Sequence, residues 1–207
     1  MKVISADFVT SAAAGGTSTG IPHDGLLQVA MTGRSNVGKS TLINALCRRP
    51  MARTSAAAGK TRLANVFRLT VEGGRPGRWS LYLVDLPGYG YARGGADSAQ
   101  ELRAVAEAYF RGPGRERLAV LLVDSRHPGL ESDTQAYRWL QTLGVEPLIV
   151  ATKVDKLSRA ERTRNLRALE GIFGQPALPV SAERGEGMDE LWKTIANRGR
   201  AARAADA

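Results

Sequence analysis

Residues 33–40 read Gly-Arg-Ser-Asn-Val-Gly-Lys-Ser, which places two glycines around a short loop that ends in a lysine and a hydroxyl. This is the pattern of a phosphate-binding loop. Residues 26–31 before it are mostly apolar, as in a buried strand, and residues 41–46 after it are apolar at helical spacing. A strand, a glycine loop and a helix form the context that the motif needs. The alternative, a tight turn that matches by accident, does not explain both flanks.

The composition of the loop suits an anion. Its glycines let the backbone fold so that successive N–H groups point at one phosphate, and the start of the following helix adds a partial positive charge. We expect Lys39 to reach the β- and γ-phosphates and the Ser40 hydroxyl to bind Mg²⁺. The residues predicted to surround the phosphates are Gly33, Arg34, Ser35, Asn36, Val37, Gly38, Lys39, Ser40 and Thr41.

Apolar runs alternate with amphipathic segments along the rest of the chain. This alternation predicts an α/β fold with an open, mostly parallel six-stranded sheet, one antiparallel strand and helices on both faces. A hairpin over residues 63–84 supplies the antiparallel strand. We divide the chain into an N-terminal arm with a flexible Gly/Ser/Thr stretch (1–25), one domain (26–198) and a basic, disordered tail (199–207). In such a sheet, ligands bind at the carboxyl ends of the strands.

The charge of the chain favours a polyanionic partner. Lys and Arg number 29 against 20 Asp and Glu, a formal net charge of +9. Nucleic acid is favoured over an anionic membrane, because the sequence has no amphipathic basic helix and no lipidation motif. A general Arg- and Ala-rich composition with no partner is the alternative. The single Cys47 excludes an internal disulfide, and the lack of a long apolar stretch predicts a cytoplasmic protein without a stable membrane anchor.

A second motif, Asp85-Leu86-Pro87-Gly88, follows another apolar run. The Asp85 carboxylate suits Mg²⁺, which it would reach through a water, and the Gly88 N–H would meet a γ-phosphate. Asp-x-x-Gly alone is a weak indication of a nucleotide site, because it usually marks a turn. Here it is a stronger one, because it follows a phosphate loop by some 45 residues.

A third motif, Thr152-Lys153-Val154-Asp155, ends the next-to-last predicted strand. A carboxylate accepts two adjacent hydrogen bonds, and guanine offers two donors at N1–H and the 2-amino group, whereas adenine offers neither. We therefore predict that Asp155 reads guanine and that the Lys153 stem covers the ring; a solvated strand-end carboxylate is the alternative. After the last strand, backbone N–H groups would meet the base carbonyl at Val180, Ser181 and Ala182.

The irregular segment 51–62 has the character of a switch loop. Thr61 lies directly before the next strand, and its hydroxyl would complete the Mg²⁺ shell when a γ-phosphate is present. Thr54 and Ser55 are competing candidates, and Gly59 and Lys60 would also lie near the nucleotide.

These motifs, in this order, resemble the translation-factor-related GTPases and, more closely, the EngB (YihA/YsxC) family of ribosome-assembly GTPases. The resemblance rests on residues 33–40, 85–92 (Asp-Leu-Pro-Gly-Tyr-Gly-Tyr-Ala), 124–128 (Asp-Ser-Arg-His-Pro) and 152–157 (Thr-Lys-Val-Asp-Lys-Leu). It implies a P-loop GTPase fold, GTP and GDP as ligands, Mg²⁺ as cofactor and catalytic roles for Lys39, Thr61 and Gly88. It also implies a monomer that acts on a large-subunit precursor or its rRNA, with a link to cell division and septation. The family's usual Pro-Gly-Arg-Thr-Gln is replaced here by Ala-Gly-Lys-Thr-Arg at 58–62, which keeps Thr61.

The sequence also predicts how such a site would turn over. GTPases often orient water with a glutamine after Asp-x-x-Gly, but Tyr89 stands there. We therefore expect slow hydrolysis until a partner or a cation completes the site. In related K⁺-activated GTPases an Asn at the position of Asn36 helps to hold the cation, although Asn36 would alternatively only shape the loop. Rival interpretations are a binding module with negligible turnover and a membrane-linked division factor.

Overall fold

The computed structural model describes residues 1–12, 21–52, 63–74, 77–89, 95–112 and 117–205. The strands found there are β1 Lys2–Ala12, β2 Gln28–Gly33, β3 Ala64–Glu72, β4 Arg78–Asp85, β5 Arg117–Asp124, β6 Leu148–Thr152 and β7 Leu178–Pro179. The α-helices found there are α1 Lys39–Cys47, α2 Gly95–Arg111, α3 Glu131–Thr142, α4 Arg159–Phe173 and α5 Met188–Ala205. A 3₁₀ turn, Val154–Lys156, follows β6.

The strands form one sheet in the order β1-β3-β4-β2-β5-β6-β7. Strand β3 runs antiparallel to both of its neighbours, and the remaining pairs are parallel. The predicted fold class is therefore confirmed. The sheet has seven strands rather than six because the N-terminal segment pairs with β3, from Lys2 opposite Glu72 to Ala12 opposite Ala64.

The sheet is covered on both faces, as the apolar runs of the central strands require. Every residue of β2 is buried, and in β5 only the first residue is not. One core cluster packs α1 and α5 on one face, through residues such as Leu42 and Trp192. The other packs α2, α3 and α4 on the opposite face, through residues such as Tyr109, Leu140 and Leu169.

Two helix boundaries bear on the predictions. Helix α4 starts with a capping box, in which Ser158 Oγ accepts from Glu161 N and the Glu161 carboxylate accepts from Ser158 N at 2.8 Å. This cap fixes the start of the helix that follows residues 152–155. Helix α5 continues to Ala205, so most of the segment 199–207 that we expected to be a disordered tail is helical. Within the described residues, none of the helices is both long and apolar enough to cross a bilayer.

Candidate nucleotide-binding site

The phosphate loop leaves β2 at Gly33 and enters α1 at Lys39. A Cβ on Gly33 would lie 2.9 Å from Val37 Cγ1 and 3.0 Å from the Leu122 carbonyl oxygen, so a side chain has no room there. Gly38 adopts φ +104°, a conformation that L side chains rarely reach. Both glycines of the motif are thus explained by the way the loop folds.

The N-terminus of α1 has no side-chain cap. Gly38 caps the helix without a side chain, so no side-chain cap hydrogen bond is made, and the first turn contains no acidic residue. The first N–H groups of a helix lack partners within the helix and carry a partial positive charge. This end of α1 therefore combines free donors with a favourable field for a phosphate.

Lys39 and Asp85 meet at the mouth of the site as an ion pair between Lys39 Nζ and Asp85 Oδ1. Their side chains are only 11% and 5% exposed. The sequence predicted a phosphate for the lysine and Mg²⁺ for the carboxylate, and the structure places the two groups in contact with each other. Such a pair neutralises two buried charges that would otherwise be costly. It also keeps a cation and an anion at the positions where a phosphate and its counter-ion would enter.

The Asp85-Leu86-Pro87-Gly88 motif lies against the phosphate loop. Tyr89 N donates to Gly33 O at 3.3 Å, and Ser35 N donates to Tyr89 O at 2.9 Å. A Cβ on Gly88 would lie 3.2 Å from Gly33 O, so glycine allows this close approach. The predicted proximity of Gly88 to the loop is present, whereas Leu86 is buried in the core and Pro87 is also buried.

The Tyr89 phenol bonds to α3 and also faces the backbone of Arg34 in the phosphate loop. Its hydroxyl donates to Asp133 Oδ1 at 3.1 Å. Burial raises the pKa of the Tyr89 phenol, and the charge of Asp133 raises it further. Burial also raises the pKa of Asp133, although the bond from Tyr89 opposes this. The phenol therefore stays protonated at neutral pH, and it is tied to α3.

A pocket lies between α1 and the ends of β6 and β7. The residues that line it are Gly38, Thr41, Leu42, Thr152, Lys153, Asp155, Val180, Ala182 and Glu183. It brings the phosphate loop together with the Thr152-Lys153-Val154-Asp155 motif and the segment after β7. The side chain of Val154 is buried in the core and does not line it.

Asp155 is the buried carboxylate of this pocket, with a side chain only 3% exposed, whereas the Glu183 side chain is 63% exposed. Burial acts to raise its pKa, but hydrogen bonds from Ser181 and Lys156 outweigh that effect and hold the pKa of Asp155 below its ordinary value. The Lys156 ammonium lies 3.2 Å from Asp155 Oδ2 and 3.0 Å from Glu183. Asp155 is consequently an anion at neutral pH, available to accept from donors in the pocket.

Thr152 and Lys153 connect the pocket to the phosphate loop. Thr152 Oγ1 donates to Val37 O at 2.6 Å, and Lys153 Nζ donates to Asn36 O at 2.6 Å. Lys153 and Asn36 both have positive φ, 60° and 65°. Asn tolerates this conformation better than most residues, so Asn36 at least shapes the loop.

The predicted switch residues Gly59, Lys60 and Thr61 lie outside the described residues. Leu42 and Glu183 line the pocket but were not predicted. Leu42 is missed because an apolar residue at helical spacing indicates only a core position. Glu183 follows two predicted residues directly, which is a usable signal.

The oxygen atoms of Ser40 and Asp85, at the start of α1 and the end of β4, suit Mg²⁺. Among the described residues, no group of three or more His, Cys, Asp or Glu side chains could hold a metal ion. Mg²⁺ in nucleotide sites uses one or two protein oxygens and completes its shell with phosphate and water. The Asp85 carboxylate and the Ser40 hydroxyl, at the end of β4 and the start of α1, fit that requirement.

The sequence of this chain is similar to a GTPase family model and to known GTP-binding proteins. Residues 28–153 match a family model described as "50S ribosome-binding GTPase". A "Probable GTP-binding protein EngB" of Pelotomaculum thermopropionicum is 40% identical over 201 residues, covering 94% of this chain and 96% of that protein. Its counterpart in Chlorobaculum tepidum is 40% identical over 198 residues, covering 94% and 97%.

Solved structures agree on the fold. The crystal structure of a probable GTP-binding protein EngB aligns with a TM-score of 0.60 at 22% identity, over 84% of this chain and 98% of that one. Era of Aquifex aeolicus, bound to GDP and AlF4⁻, aligns with a TM-score of 0.67 at 23% identity, over 81% and 55%. The sequence match across nearly its whole length, on a P-loop GTPase fold, means that this chain belongs to the EngB family of GTP-binding proteins.

Proposed function

We propose that this protein is a Mg²⁺-dependent guanine-nucleotide switch that hydrolyses GTP slowly and, in its GTP state, binds a precursor of the large ribosomal subunit. The observation that carries the nucleotide assignment is the connection between Asp155 and the phosphate loop. An ionised, buried carboxylate lies in the same pocket as Lys153, whose ammonium contacts Asn36 O at 2.6 Å. One ligand with a base and a phosphate chain would fill both the pocket around Asp155 and the phosphate loop.

Guanine fits the base end. Asp155 would accept from N1–H and the 2-amino group, while the Lys153 stem would cover one face of the ring. Adenine would leave the carboxylate without donors. A site built around such donors rejects an analogue that lacks them by about 10⁴-fold or more. Titration calorimetry with GDP and ADP tests this, and equal affinities for the two would refute the proposal.

The phosphate end supports charge neutralisation. Lys39 and the α1 N–H groups would hold the β- and γ-phosphates, and Gly88 N–H would meet the γ-phosphate. Ser40, Thr61 and Asp85 (the last through water) would hold Mg²⁺, which would neutralise charge on the phosphate oxygens. Lys39, Thr61 and Gly88 are the residues that we propose act on the γ-phosphate during hydrolysis.

Slow turnover follows from what occupies the position of the usual glutamine. Tyr89 donates its single hydroxyl proton to Asp133 on α3, and a phenol lacks the separate donor and acceptor with which a glutamine amide orients water. We propose that a partner, or K⁺ held near Asn36, supplies the missing stabilisation. Phosphate release measured in K⁺ and in Na⁺ buffers tests the cation, and equal rates would exclude it. A module that binds GTP but does not turn it over is the competing function, and phosphate release with and without ribosomal particles separates the two.

The ribosomal partner is supported by the description of the family model and by the net charge of +9. We further propose that the protein acts in the cytoplasm as a monomer and that its loss impairs septation. Co-sedimentation with purified large-subunit precursors, compared between GTP and GDP, tests the partner. Binding that is the same in both nucleotide states would refute a switch, and binding that resists high salt would argue against an rRNA contact.

A further inference from the structure

Asp124, the last residue of β5, lies beside the nucleotide site but does not line its pocket. Its side chain is only 1% exposed. Arg126 donates to Asp124 through Nε to Oδ1 at 2.9 Å and through Nη2 to Oδ2 at 2.7 Å. Lys153 Nζ donates to Asp124 Oδ2 at 3.0 Å. One buried carboxylate therefore holds two cations at once.

The geometry points to Asp124 as a positioning residue of the nucleotide site, which holds the Lys153 ammonium on the phosphate loop so that the lysine stem can cover the base. This role rests on the proposed function, because it presumes a nucleotide in the pocket. Asp124 does not line the pocket, so it would act on a nucleotide only through Lys153.

Lys153 needs such an anchor. A lysine side chain has four rotatable bonds and loses considerable rotamer entropy when it is held in one conformation. Its Nζ contacts two oxygens, Asn36 O at 2.6 Å and Asp124 Oδ2 at 3.0 Å. Its Cε passes 3.7 Å from the place where a Cβ of Gly38 would stand. A neutral carbonyl alone would compete poorly with a nearby phosphate for this ammonium, so the carboxylate keeps the lysine on the loop.

Arg126 orients the carboxylate. Its guanidinium contacts both Asp124 oxygens, a forked geometry that fixes the plane of the acid. Arg126 N also donates to Oδ1 at 3.1 Å, which leaves Oδ2 to be shared with Lys153. Burial acts to raise the pKa of Asp124, but the hydrogen bonds from Arg126 and Lys153 outweigh it and lower that pKa to about 2. The acid is therefore charged at neutral pH.

The test is a double-mutant cycle on GDP affinity, measured with a fluorescent GDP analogue and checked by calorimetry. Asp124→Asn should weaken GDP binding by about 10- to 100-fold, the scale of a hydrogen bond to a charged group. Lys153→Met should weaken it similarly. The double variant should bind GDP no more weakly than the more impaired of the two single variants, because both changes remove the same anchored lysine. Arg126→Ala removes the other cation and should cost less than Asp124→Asn.

Two outcomes would overturn the inference. Losses that multiply in the double variant would show that Asp124 does not act through Lys153. Unchanged GDP affinity in Asp124→Asn would show that the carboxylate only stabilises the fold, which a lowered melting temperature would then report. If Asp124→Asn does not fold, Asp124→Glu replaces it, with an intermediate loss that disappears in the Lys153→Met background. Wild-type protein that fails to prefer GDP over ADP would instead refute the proposed function.

Discussion

Replacing Asp155 by Asn tests the guanine assignment most directly. The change is nearly isosteric, but it turns one acceptor oxygen into an NH₂ donor that would face the 2-amino group of guanine. The variant loses the charge that Lys156 contacts at 3.2 Å, which is worth little because the Lys156 side chain is 48% exposed, and the Asn oxygen can still accept from Ser181. Most of the effect should therefore appear in binding rather than in stability.

The expected loss can be worked from the two bonds. Each hydrogen bond to a charged group contributes roughly 1.5–3 kcal/mol. Asp155→Asn weakens the bond from N1–H, and it replaces the bond from the 2-amino group by two donors that face each other. We therefore expect a loss of about 3–5 kcal/mol in GDP binding free energy, or roughly 10²- to 10⁴-fold in GDP affinity. Xanthine carries a carbonyl where guanine has the amino group, and the new NH₂ donor would suit it.

Calorimetry with GDP and with xanthosine diphosphate, on wild type and Asp155→Asn, separates recognition from folding. Wild type should prefer GDP, and the variant should prefer the xanthine nucleotide. A variant that binds GDP as tightly as wild type does would refute the reasoning. A variant that binds neither nucleotide, although circular dichroism shows it folded, would mean that the new amide does not pair with the xanthine carbonyl as we expect.

Three further outcomes follow from the structure and are measurable by urea unfolding. Lys39→Met should lower the free energy of unfolding by about 3 kcal/mol, because it leaves the Asp85 charge buried and unpaired, and adding Asp85→Asn should recover most of it. Gly187→Ala should cost more than about 3 kcal/mol, since its Cβ would lie 2.1 Å from a carbonyl oxygen of β7, whereas Gly185→Ala, with a similar positive φ and open space, should cost about 1 kcal/mol. The pKa of Asp124 is lowered from 3.8 to about 2, so its stabilisation is present above pH 4 and is lost as the pH falls through 2. The drop in unfolding free energy between pH 5 and pH 2 should therefore be about 2 kcal/mol smaller in Asp124→Asn than in wild type; equal drops, a neutral Gly187→Ala or an uncompensated Lys39→Met would each contradict its explanation.

Much of the site was predictable because its motifs are contiguous. A phosphate loop works through the backbone of residues 33–40, and glycines with a following helix dictate that backbone locally. The motif at residues 152–155 ends a buried strand, so its side chains had to emerge at the ligand-binding edge of the sheet. The extra strand β1 was less predictable, because its pairing with β3 joins segments some sixty residues apart in the sequence.

The sequence by itself determined which groups are candidates for the nucleotide site that we propose: the loop glycines, a lysine, hydroxyls and two carboxylates at strand ends. Only the tertiary structure decided how those groups are held. It pairs Lys39 with Asp85, ties Tyr89 to Asp133, and places Asp124 where it anchors a lysine 29 residues further along the chain. The physical reason is that local backbone conformation follows from nearby residues, whereas the partner of a buried charge depends on which strands the sheet order makes neighbours.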